Sequence, residues 1–119
     1  MLKLNHKQLD VWKASINLVK EIYQLTNSFP KDEHYGISSQ LRRASVSIVS
    51  NISEGLSRST KLEIRRFLQI ARSSLVEIDA QIEISLELNF CSKEEIIQLT
   101  ELANRVFAML TNMIKKYSQ

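Results

Sequence analysis

The sequence predicts an all-α protein, an antiparallel up-down-up-down four-helix bundle, and three observations carry that prediction. Two glycines and one proline among 119 residues are too few for the tight reversals a β-rich fold needs. Four stretches repeat apolar residues at helical spacing. The breaks between them are short, which favours antiparallel neighbours in a bundle. The chain is long enough for one domain, residues 1–119, built on a single core. No repeat, linker or low-complexity tract divides it.

The first helix is expected over about 9–28. Trp12, Ile16, Val19 and Tyr23 share one side, with Val11, Leu18, Ile22 and Leu25 beside them. Together they cover a wider face than one bundle seam uses. Phe29-Pro30 ends this helix, because the residue before a proline resists the α conformation. The second helix is expected over about 37–56, on a narrow stripe of Ile37, Leu41, Ala44, Ile48 and Ile52 among many serines. Serine is a mediocre helix former, so this helix needs the close packing that small side chains allow. Gly55 reads as its stop signal.

Thr60-Lys61-Leu62-Glu63 is a capping box opening a third helix over about 61–88. Its stripe is Ile64, Phe67, Leu68, Ala71, Leu75, Ile78, Ile82 and Leu86. Ser92-Lys93-Glu94-Glu95 is a second capping box, placing the fourth helix over about 93–117. That helix carries Ile96, Leu99, Ala103, Val106, Leu110, Met113, Ile114 and Tyr117 on one face.

This is more apolar face than one bundle consumes. Val46 and Val49 sit opposite the second helix's stripe, and Ile70, Ile84 and Leu88 group on another face of the third. Scattered surface apolar residues are normal, but residues recurring at helical spacing form stripes, and stripes point to self-association. The candidate interface is Val46, Val49, Ile70, Ile84 and Leu88, with Arg42 and Ser53 sharing the side of Val46 and Val49.

Several functions are disfavoured. No apolar run approaches the roughly 20 residues that span a bilayer, and Met1–His6 lacks signal-peptide features. A lone cysteine, Cys91, forms no internal disulfide and suits a reducing compartment, so a cytoplasmic location is expected. Cys91 reads as a packing residue beside Phe90 rather than a reactive thiol. Di-metal sites in bundles need Glu-x-x-His pairs. The only histidines, His6 and His34, belong to none. No phosphate loop, nucleophile elbow or zinc signature occurs. Neither an enzyme nor a metal or other cofactor is expected, and Asn51 and Glu54 read as hydrogen-bonding residues at a helix end.

Leu9-Asp10-Val11-Trp12-Lys13-Ala14, Phe29-Pro30-Lys31-Asp32-Glu33, and Tyr35 through Ala44 resemble the 23S rRNA intervening-sequence proteins, also called ribosomal protein S23-like or four-helix-bundle proteins. The resemblance continues through Ser47-Ile48-Val49-Ser50-Asn51-Ile52-Ser53-Glu54-Gly55, then Arg66-Phe67-Leu68, Ile70-Ala71 and Ser74-Leu75-Val76-Glu77. It covers Leu9 to Tyr117. Val49 stands where the family often has proline, and Ser53 where it often has alanine. The resemblance implies an up-down bundle assembled into a homopentameric ring, with no catalytic residues. It also implies kinship with the accessory protein of diversity-generating retroelements, a basic pentamer that binds RNA and a reverse transcriptase.

The net charge is only +3, yet up-down topology would separate the charges. One end would gather Lys3, Lys7, Arg58, Lys61, Arg65, Arg66, Lys115 and Lys116, and the other Asp32, Glu33, Glu83, Glu87, Glu94 and Glu95. The third helix shows this on one face, with Lys61, Arg65 and Arg72 before Asp79, Glu83 and Glu87. A helix macrodipole favours the opposite order. Three arrangements account for it: a solvated face, docking of one subunit's basic half on the next one's acidic half, or a phosphate-binding rim multiplied by ring symmetry. Arg58, Lys61, Arg65 and Arg66, supported by Lys115 and Lys116, are the nucleic-acid candidates. Helix-turn-helix spacing and an aromatic stacking ladder are absent, so binding would be electrostatic and salt-sensitive. The expected function is a non-enzymatic oligomeric scaffold binding RNA or a nucleoprotein. The alternative is a protein–protein adaptor ring.

Overall fold

The computed structural model describes all 119 residues, which form four helices and no strand. α1 spans Asp10–Thr26, α2 Ile37–Leu56, α3 Lys61–Glu87 and α4 Ile97–Lys116. Single 3-10 turns lie at Asn5–Gln8, Lys31–Glu33 and Glu94–Ile96. Each helix buries one stripe. α1 contributes Val11, Ala14, Leu18, Ile22 and Leu25, and α2 contributes Leu41, Ala44, Ile48 and Ile52. α3 adds Leu68, Ala71, Leu75, Ile78 and Ile82, and α4 adds Leu99, Val106, Leu110 and Ile114. Each large side chain fully removed from water stabilises the fold by about 1.5–3 kcal/mol before entropy is counted. The second side of α1's wide face flanks this core: Trp12, Ile16 and Val19 are half-buried and Tyr23 is exposed.

The helices close a cycle, α1 touching α2 and α4, and α3 touching the same two. Polar links show which parts meet. Trp12 Nε1, near the start of α1, donates to Ser53 Oγ near the end of α2 at 2.9 Å. Arg42 Nε, near the start of α2, donates to Thr26 Oγ1 at the end of α1 at 2.8 Å. The Ser47 and Ser74 hydroxyls join α2 to α3 at 3.0 Å, and Arg72 Nη1 donates to Thr111 Oγ1 across α3 and α4 at 3.3 Å.

α2 and α3 share the most extensive contact, and small side chains make it possible. Ala44 and Gly55 on α2, with Ala71, Ser74 and Ser85 on α3, are all buried. Buried Ser45, Ser74 and Ser85 avoid the cost of unpaired hydroxyls. Ser45 Oγ donates to Arg42 O and Ser85 Oγ to Gln81 O, both at 2.8 Å. Gly55 is therefore no stop signal. It lies inside α2 with no positive φ, and a β-carbon there would sit 2.6 Å from Phe67 Cβ. It is a point of close approach between α2 and α3.

The helix boundaries follow from local bonds. Thr60 accepts from Glu63 N–H at 3.2 Å and caps α3, as a capping box should. α3 ends where Asn89 turns left-handed at φ 59°. There the Phe90 N–H donates to Ser85 O at 2.8 Å and the Asn89 N–H to Leu86 O at 3.0 Å, the Schellman pattern. That turn brings Phe90 to within 5.7 Å of Phe29, ring centre to ring centre. The expected start of the fourth helix near residue 93 is corrected. Ser92 Oγ does accept from Glu95 N–H at 3.3 Å, but the box caps only the 3-10 turn Glu94–Ile96, and α4 proper begins at Ile97. The first helix stops at Thr26 rather than residue 28, because residues 27–28 turn to seat buried Phe29.

Candidate nucleic-acid interface at the basic end

The candidate cations sit where α3 begins and α4 ends. Lys61 Nζ donates to Gln119 O at 3.0 Å, and Arg65 Nη1 donates to Tyr117 O at 3.4 Å. These bonds set two basic side chains of α3 against the carbonyls just past the end of α4. Bases near its own N-terminus oppose its own macrodipole, but they meet the electron-rich carbonyl end of α4. What looks misplaced on one helix is well placed against its neighbour.

The other candidates are freer. Arg58 is exposed, its guanidinium 4.8 Å from the Phe67 ring centre, a cation–π distance. Phe67 thus meets Gly55 on one side and supports Arg58 on another. Arg66, Lys115 and Lys116 are exposed, and Lys116 lies 5.6 Å from the Tyr117 ring centre. Such cations attract phosphate by charge and by hydrogen bonding without reading sequence. Beside them, His6 is buried and tilts against Trp12 at 6.2 Å between ring centres.

The candidate self-contact residues divide. Val46, Ile70, Ile84 and Leu88 are exposed at 43%, 49%, 49% and 55%, far beyond what core residues show, and Val49 is half-buried. Arg42 and Ser53 have work inside the subunit. Arg42 adds a bond to Asn27 Oδ1 at 3.0 Å and stacks 4.6 Å from the Tyr23 ring centre, while Ser53 receives Trp12. Both link α1 to α2 within the subunit.

Sequence reasoning missed a cleft between α3 and α4. It measures about 330 Å³ and is floored by Leu75, Ile78, Ile82, Leu99 and Ala103, with Val76 and Phe107 on its walls. Val76 is 54% and Phe107 41% exposed. The available signal was that neither belongs to its helix's core stripe.

The rest of the surface offers little chemistry. No group of three or more His, Cys, Asp or Glu is placed to hold a metal ion, and no helix is long and apolar enough to cross a membrane. Burial pushes the Cys91 thiol upward from its ordinary range, with the Glu95 carboxylate adding to the effect. A raised thiol pKa means the folded chain holds that proton longer than the unfolded chain. Stability from this group is therefore full below the ordinary thiol value of about 8.5 and is lost as pH rises through the folded value. Cys91 should react with iodoacetamide at pH 8 at least about tenfold more slowly than in the urea-unfolded chain. Equal rates would contradict its burial.

Four helices packed around one core define a four-helix bundle. The chain belongs to the 23S rRNA-intervening sequence protein family, whose family model matches residues 7–112. Its fold is similar to the crystal structure of a protein of unknown function from the S23 ribosomal protein family of Bacteroides thetaiotaomicron. That similarity has a TM-score of 0.78 at 19% identity, covering 88% of this chain and 98% of that one. At that identity the likeness establishes the fold alone. No curated protein matches the chain.

Proposed function

We propose that the chain is a non-enzymatic cytoplasmic scaffold, an up-down-up-down bundle assembled into a homopentameric ring whose basic end binds RNA or a nucleoprotein. The observation that carries this reading is the exposure of Arg58 in the α2–α3 turn, Arg66 near the start of α3, and Lys115 and Lys116 at the end of α4, segments that the Lys61–Gln119 and Arg65–Tyr117 bonds hold at one end. Lys61 and Arg65 extend the set, since each retains donors beyond its one bond to a carbonyl. Ring symmetry about an axis along the bundle would bring several such ends to one rim. Contacts weak in a single subunit would then sum. Exposed Val46, Ile70, Ile84 and Leu88 support the self-association on which that rim depends.

The test is binding of a generic single-stranded RNA across salt concentrations. Log affinity should fall linearly with log salt, as counterion release requires. Reversing Arg66, Lys115 and Lys116 together to glutamate should weaken binding at low salt by at least about a hundredfold, with helical content unchanged. Negligible binding by the wild-type chain at low salt would remove RNA from the reading. It would leave the protein–protein adaptor.

A further inference from the structure

A second concavity opens between the N-terminal segment and the end of α2. It measures about 390 Å³ and is lined by Leu4, His6, Ser53, Glu54, Ser57 and Arg58, a volume typical of small-ligand sites. His6 is only 8% exposed, yet its imidazole takes part in no hydrogen bond. Its nitrogens are not sealed off, because the one enclosed side-chain polar atom without a partner is Gln81 Oε1. They open to the pocket that the ring lines. Buried polar groups are as a rule hydrogen-bonded, so this ring has room for a partner from outside the chain. The Ser53 hydroxyl is half committed: it accepts from Trp12 Nε1 at 2.9 Å and keeps its own proton to donate. Ser57 Oγ already gives its proton to Ser53 O at 2.9 Å. Arg58, seated on the Phe67 ring, brings a positive charge to the pocket, and exposed Glu54 a negative one.

The carboxylate decides what fits. Arg58, His6 and the Ser53 hydroxyl can all donate to a phosphate oxygen. Ionised Glu54 only accepts, and it repels a bare phosphate. A fitting ligand therefore carries an anionic group and a hydroxyl donor together. We infer that the pocket takes one ribonucleotide, its phosphate toward Arg58 and His6 and its ribose 2′-hydroxyl donating to Glu54. Carboxylates serve as acceptors for this hydroxyl in other nucleotide sites. The pocket's place in RNA binding rests on the proposed role of the basic end, and it adds what that end lacks. Exposed cations meet phosphate and are blind to the sugar, whereas a 2′-hydroxyl contact tells RNA from DNA. In a ring the pocket recurs once in every subunit.

Strands of equal phosphate count separate the pocket from the surrounding cations. A short oligouridylate and its 2′-deoxy and 2′-fluoro counterparts carry the same charge, so exposed cations contribute equally to all three. The fluoro strand keeps the ribose pucker and lacks the hydroxyl proton. The wild type should bind the ribose strand at least about tenfold more tightly than either analogue, the factor that a hydrogen bond to a charged acceptor supplies. Glu54→Ala should abolish that preference and leave the deoxy strand bound as well as before or better, because a repelling charge is gone. His6→Phe, which keeps a ring against Trp12, should weaken all three strands alike by about fivefold and preserve the preference.

Trp12, the only tryptophan, reports occupancy directly, since it lies against His6 and bonds Ser53. Its emission should change as the pocket fills. Saturation by uridine 5′-monophosphate, with no response to 2′-deoxyuridine 5′-monophosphate, would show a site that takes the free nucleotide. A response to oligouridylate alone would show a subsite for one nucleotide of a strand. Both support the ribonucleotide assignment. Equal wild-type affinity for the ribose and deoxy strands overturns it, as does a preference that survives Glu54→Ala or an affinity untouched by His6→Phe. A wild type that binds no strand at low salt removes RNA from the role of the basic end. The mononucleotide titration then decides the pocket, and a silent Trp12 overturns that as well.

Discussion

Gly55→Leu is expected to lower the stability of the bundle by about 3 kcal/mol, the upper part of the range for overpacked cores. The β-carbon alone would lie 2.6 Å from Phe67 Cβ and 3.4 Å from Ile64 O. Neither neighbour is the loose end of a flexible side chain: one is attached directly to the backbone of α3, and the other is that backbone. α2 and α3 would have to separate at this close contact, loosening the small buried side chains packed between them. Gly55→Ala separates steric from conformational effects. Alanine recovers about 1 kcal/mol of helix propensity while retaining most of the clash, so its loss should be the smaller. Urea unfolding followed by circular dichroism measures both variants. A leucine variant within about 0.5 kcal/mol of wild type, the range of ordinary surface changes, would show that the helices are not in close contact at Gly55. Because Phe67 also supports Arg58, the leucine variant should bind RNA more weakly even where it remains folded.

Gly55 also shows where sequence and structure part. The helices were legible because amphipathic periodicity is a property of each segment alone. So was the Thr60–Glu63 cap, whose two residues lie three apart. Distance between helices is a property of pairs. A glycine near a helix end reads as a terminator, and only the position of Phe67 on another helix reveals it as a contact point. Part of the charge order on α3 was illegible for the same reason. Lys61 and Arg65 oppose their own macrodipole, and the carbonyls that receive them belong to residues 117 and 119. A helical wheel places Arg42 on one side of α2 but does not show that this side reaches Thr26 and Tyr23 of α1. The cleft was hidden because Leu75, Ile78 and Leu99 read as ordinary core. Whether two stripes close fully or leave a furrow depends on how far α3 and α4 splay.

Leu68→Ala is expected to cost about 3 kcal/mol, within the range measured for deleting buried leucine side chains. Leu68 has no accessible surface, so the change removes both its transfer free energy and its contacts, leaving a cavity that the surrounding core fills only in part. Against a total of roughly 5–15 kcal/mol for a domain of ordinary stability, this is a large fraction. Val76→Ala makes the contrast on the same helix, eight residues further on and 54% exposed. In a dilute, dissociated sample it should stay within about 0.5 kcal/mol of wild type. Equal losses at the two positions would mean that the stripes have been assigned to the wrong sides of α3. Leu68 is buried while the cations of its neighbouring turn, Arg65 and Arg66, project from other sides of the helix. RNA affinity per folded molecule should therefore be unchanged in Leu68→Ala when measured well below its melting temperature. A loss of binding there, with the fold intact, would tie the basic end to the core more closely than these side chains imply.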